Sequence, residues 1–81
     1  MRKFMRNYFS LINEIVEYLW KNAAYRNNSN LTLDNVLPVS ILNMINSDYL
    51  TYLQNNLIHF QLCRSRNEIF KLAVSDLIFK D

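Results

Sequence analysis

An all-α fold, a small single-domain bundle of three to four amphipathic helices over residues 1–81, is predicted by three features of this sequence. It contains no glycine and one proline, Pro38. Tight β-hairpins turn on residues that accept positive φ, glycine above all, so the omission weighs against sheet. Apolar residues recur at steps of three and four rather than two, and the intervening stretches are rich in Asn and Ser, which suit turns between helices.

The first helix is predicted over Phe4–Ala23. Phe4, Met5, Tyr8, Phe9, Ile12, Ile15, Val16, Leu19, Trp20 and Ala23 form one stripe, and Arg6, Asn7, Ser10, Asn13, Glu14, Glu17 and Lys21 occupy the other side. Glu17 precedes Lys21 by one helical turn, the favourable order for an ion pair. Residues 25–30 are crowded with Asn and Ser and form the first loop. A second helix is expected around Asp34–Ile45, capped near Thr32 or Asp34, with Pro38 tolerated in its first turn because proline has no amide proton to give.

Ser47 is a candidate N-cap for a third helix, with the Asp48 carboxylate beside the exposed first-turn amides. Leu50, Leu53, Leu57 and Phe60 then follow as an inward seam. Ser65 and Glu68 have the spacing of a capping box, which starts a fourth helix near Arg66. Ile69, Phe70, Leu72, Ala73, Val74, Leu77 and Ile78 leave that helix a narrow polar face, so it is either deeply buried or a contact surface. Lys80 complements the negative pole of its last turn.

A chain of 81 residues with 51% hydrophobic and 14% aromatic residues holds more apolar surface than so small a domain readily hides. That surplus points to a partner, either another protein or a second copy. The net charge of +2 is well short of what by itself implies nucleic acid or anionic lipid. The basic start at Arg2 and Lys3 mimics a secretory signal, but Asn13, Glu14 and Glu17 interrupt the apolar run. The same two carboxylates weaken any attraction of the first helix to a membrane surface. No run of about eighteen apolar residues is present. A cytoplasmic protein is expected, and the acceptor patterns Asn27-Asn28-Ser29 and Asn30-Leu31-Thr32 read as by-products of an Asn-rich chain.

Chemistry-bearing residues are sparse. His59 and Cys63, one helical turn apart, are the only histidine and the only cysteine. A thiol and an imidazole make a nucleophile only with an orienting group and oxyanion donors, which nothing here supplies. Two ligands are half of a tetrahedral zinc site, and no glycine loop exists to cradle phosphate. No catalytic, cofactor-binding or metal-binding residue is assigned, and no cofactor is expected.

The segment Leu72-Ala73-Val74-Ser75-Asp76-Leu77-Ile78 resembles the closing helix of acyl carrier proteins. Those proteins are strongly acidic and carry their prosthetic group on the serine of Asp-Ser-Leu. Here Ser47 lies in Asn-Ser-Asp and the chain is basic, so no site is carried over.

The expected function is a small non-enzymatic protein–protein interaction protein, of the adaptor, inhibitor, secretion chaperone or assembly subunit type. Tyr18, Trp20, Tyr49, Tyr52, Phe70 and Leu77 are the candidate partner-binding residues, because large aromatic contacts dominate binding energy. The alternative is a small helical DNA-binding regulator gripping phosphates with Arg2, Lys3 and Arg6 and with Arg64, Arg66 and Lys71.

Overall fold

In the computed structural model the backbone is described for residues 2–22 and 31–80, and the side chains for residues 9–22 and 31–75. The described residues form six helices and no strand: α1 (Arg2–Lys21), α2 (Leu33–Val36), α3 (Val39–Leu42), α4 (Ser47–Asn55), α5 (Leu57–Leu62) and α6 (Arg66–Lys80). The all-helical expectation holds, but the count of three to four does not. The loop expected over residues 25–30 lies outside the described residues.

Two breaks account for the higher count. The helix expected over Asp34–Ile45 is divided at Pro38, which sits just before α3 as its N-cap rather than in a first turn. Proline crowds the residue before it out of the helical region. Leu37 accordingly takes φ −111 and ψ 142, ending α2 after one turn. The second break, at Asn56, is milder. Its φ of −109 and ψ of 10 depart from helix, yet Asn56 N still donates to Tyr52 O at 3.1 Å and Phe60 N to Asn56 O at 2.9 Å. The Asn56 side chain also donates to Tyr52 O, at 2.8 Å, competing with the backbone as a short amide does inside helices.

The helix starts follow capping chemistry, with changes of residue. Asn46, not Ser47, caps α4, its Oδ1 accepting from Tyr49 N at 2.8 Å. Thr32 holds the N-cap position of α2 but makes no side-chain cap bond. Gln54 of α4 supplies it instead: Gln54 Oε1 accepts from Leu33 N at 2.9 Å, and Nε2 donates to Leu31 O at 3.5 Å. Before α6, Glu68 N donates to Ser65 Oγ at 3.1 Å as the capping box requires. The Glu68 carboxylate reaches one residue further back than expected and accepts from Arg64 N at 2.7 Å.

The core is one apolar cluster. α1 contributes Ile12, Ile15, Val16 and Leu19, all at 0% exposure. These pack chiefly on α6, whose Ile69, Ala73 and Val74 are buried. Leu33, Val36, Leu37, Ile41 and Ile45 close one side, and Tyr49, Leu53, Leu57 and Phe60 fill the rest. Tyr49 therefore takes the place in the inward seam that spacing assigned to Leu50, which is only half-buried.

The tyrosines of α4 also tie it to α6 by hydrogen bonds. Tyr49 Oη donates to Ala73 O, and Tyr52 Oη donates to Leu72 O at 2.7 Å. Their rings stack at 5.9 Å between centroids. A buried phenol needs a partner for its hydroxyl, and two consecutive carbonyls of α6 meet that need while setting the axial position of the helix.

Candidate functional site

Among the described residues no side chain that sequence singled out belongs to a built catalytic centre. His59 is exposed, with Nδ1 3.0 Å from Asn56 Oδ1. The Cys63 thiol donates to the His59 main-chain oxygen at 3.5 Å, a bond one helical turn long that closes α5. No group of three or more His, Cys, Asp or Glu residues able to hold a metal ion occurs among the described residues.

The five candidate partner-binding residues whose side chains are described do not share one surface. Tyr49 is withdrawn into the core at 3% exposure, its hydroxyl donating to Ala73 O of α6. Tyr52 is half-buried above it. Trp20 is also half-buried, packed against the core cluster. Phe70 is half-buried beside Phe9, with ring centroids 6.5 Å apart. Tyr18 is 42% exposed on α1. The side chain of Leu77 lies outside the described residues.

Sequence reasoning, drawn to aromatics, passed over the most exposed apolar side chains. Val39 is 68% exposed, Met44 56%, Ile58 59% and Leu62 71%. The last two are neighbours, one turn apart on α5. Helical geometry sets both away from the buried Leu57 and Phe60. Their signal was available, because residues 57 and 60 in the inward seam leave residues 58 and 62 to face outward.

Among the described residues the basic side chains make no continuous stripe. Arg64, Arg66 and Lys71 are all exposed, but Arg66 Nε donates to Glu17 Oε1, joining the start of α6 to α1. Lys71 lies five positions further along the helix, about 140° around it. The side chains of Arg2, Lys3 and Arg6 lie outside the described residues.

Glu17 binds Lys21 as expected, at 3.3 Å, as well as Arg66. An open depression on α1 is lined by Glu14, Glu17, Tyr18 and Lys21. Hydrogen bonding to Arg66 first, then to Lys21, holds the Glu17 carboxyl below its ordinary 4.5. The unfolded chain therefore binds this proton more readily. The ion pairs support folding above pH 4.5, and that support is lost as pH falls through the folded-state value. Glu17→Gln should flatten this acid limb of a urea-midpoint profile. The gap between the two proteins should be small and narrow further with salt, because exposed pairs are screened.

No protein-family model, curated protein or solved structure matches this chain. No helix among the described residues is long and apolar enough to cross a membrane.

Proposed function

We propose that the protein is a non-enzymatic binding protein, of the adaptor, inhibitor, chaperone or assembly-subunit kind, that engages a protein surface through outward apolar helix faces. One observation carries this reading: Ile58 and Leu62, at 59% and 71% exposure, stand together on the side of α5 that faces away from the core. Singly exposed apolar residues are ordinary, and a pair turned outward on a helix whose inner face is already buried supports reading that face as a contact surface. Each aliphatic side chain so placed, already partly covered by its own helix, contributes about 1–2 kcal/mol when the rest is covered.

The test is affinity capture with the tagged chain, run in parallel with an Ile58→Asp/Leu62→Asp double variant. Both positions face solvent, so helical circular dichroism should be unchanged. Binding of the captured protein should weaken by about 30-fold or more, the sum of what the two side chains contribute when covered. Equal capture by both forms would remove the reading, as would a wild-type chain that captures nothing and sediments as a monomer at every concentration.

A further inference from the structure

The contacts between α1 and α6 fix an antiparallel register. Arg66, the first residue of α6, binds Glu17 near the end of α1, whereas Phe70 pairs with Phe9 further back. Followed in that direction, the first turns of α1 and the last turns of α6 share one end of the helix pair. Phe4, Met5 and Tyr8 continue there the stripe whose Ile12, Ile15, Val16 and Leu19 lie in the core, and Leu77 and Ile78 stand one turn beyond the buried Ala73 and Val74. Core cover thins toward this end, since Ile12 is 0% exposed and Phe9, its neighbour on the stripe, is 39% exposed. The tyrosine hydroxyls of α4 bind α6 at Leu72 and Ala73, a turn short of Leu77.

The net charge of the chain resides at the same end. Of nine basic and seven acidic residues, Arg2, Lys3, Arg6 and Lys80 and Asp76 and Asp81 belong to residues 2–9 and 76–81. The remaining five of each sign cancel, so the whole +2 belongs to these two segments. The carboxylates that weigh against lipid in the sequence of the first helix stand apart from its basic start. Glu14 is about 12 Å along α1 from Arg6, and Glu17 is matched by Lys21 and Arg66.

Going beyond the protein-binding role, we propose that this end of the α1–α6 pair docks on an anionic lipid surface. Arg2, Lys3, Arg6 and Lys80 complement the charge of the headgroups, and the apolar residues of both helices supply the shallow insertion that holds an amphipathic helix in the interface. A nucleic acid would satisfy the cations equally well, but it offers no apolar layer to Phe4, Met5, Leu77 and Ile78. The attachment is interfacial, because no helix among the described residues is long and apolar enough to cross a membrane.

Flotation should carry the full chain upward with vesicles of mixed phosphatidylcholine and phosphatidylserine and leave it behind with phosphatidylcholine alone. Arg2→Gln/Lys3→Gln/Arg6→Gln, with circular dichroism unchanged, should bind the anionic vesicles about 100-fold more weakly, as the loss of three cations near a charged surface implies. Raised salt should release the wild-type chain. Ile58→Asp/Leu62→Asp, which removes the protein contact proposed above, should float as well as wild type, so the two readings fail separately. Depth is read with a polarity-sensitive fluorophore in a Cys63→Ser background. With anionic vesicles the emission should shift to the blue at Met5→Cys and stay fixed at Asn67→Cys, exposed at the far end of α6. A wild-type chain that ignores both kinds of vesicle overturns the proposal, as does undiminished binding by the triple variant or an equal shift at both cysteines. A chain that binds a DNA duplex through Arg2, Lys3 and Arg6 and leaves the anionic vesicles alone overturns it too, and makes this end a nucleic-acid surface.

Discussion

Phe60→Ala is expected to cost about 3–5 kcal/mol, the range for emptying a buried aromatic site. Phe60 is the largest of the fully buried side chains, at 0% exposure. It lies on α5, a helix of six residues, which is too short to hold its shape except through packing. Removing the ring takes away apolar burial and leaves a void that α5 cannot fill without giving up its own hydrogen bonds. A domain of this length has a total stability of only about 4–12 kcal/mol. The variant should therefore show a sharply lowered urea midpoint, or no cooperative transition at all. Ile58→Ala, two positions away but 59% exposed, should lie within about 0.5 kcal/mol of wild type. If the two substitutions cost the same, the inward and outward assignments on α5 are wrong.

The contrast between these neighbours shows what was legible in the sequence. Leu53, Leu57 and Phe60 face inward as their spacing predicts, because the period of an apolar pattern survives a mild kink. The stripe Ile12, Ile15, Val16 and Leu19 was equally plain. The start of α6 was legible too, since Ser65 and Glu68 encode a local arrangement that needs nothing from the rest of the chain. Pro38 was read for its missing amide proton, and its effect on Leu37 was left out. That steric effect separated α2 from α3.

Other properties depend on long-range contacts that no local pattern contains. The choice of Tyr49 over Leu50 for the core rests on a carbonyl of α6 standing where a phenol hydroxyl can reach it. Arg66 was grouped with Arg64 and Lys71 by sequence proximity. In the fold it belongs with Glu17, 49 positions away. Aromatic residues were favoured as contact residues for their large area, but area is useful to a partner only where the fold leaves it outside. Ile58 and Leu62 meet that condition, and Tyr49 does not.

Gln54→Ala should have the second largest effect on stability, for a reason tied to hydrogen-bond supply rather than to packing. Leu33 is the first residue of α2, so its N–H has no partner within the helix. Thr32, at the N-cap, makes no side-chain cap bond, and an N-cap side chain serves the second or third amide of a helix rather than the first. The Gln54 oxygen at 2.9 Å provides the acceptor, and the Leu33 side chain is held in the core at 2% exposure. Truncation leaves a part-buried donor without its acceptor, at a cost of about 1 kcal/mol or somewhat more. Tyr49→Phe makes the opposite case. It too removes a hydrogen bond, but the Ala73 oxygen lies within α6, where the helical ladder still offers it a donor. Its cost should stay at or below about 1 kcal/mol. Gln54→Glu keeps the acceptor for Leu33 N, and in place of the donor to Leu31 O it sets a carboxylate oxygen against that carbonyl, so it recovers only part of the loss. Urea unfolding near neutral pH should rank Gln54→Glu above Gln54→Ala. Amide exchange at Leu33 should accelerate in Gln54→Ala alone, and unchanged exchange there would show that α2 draws its N-terminal support from elsewhere.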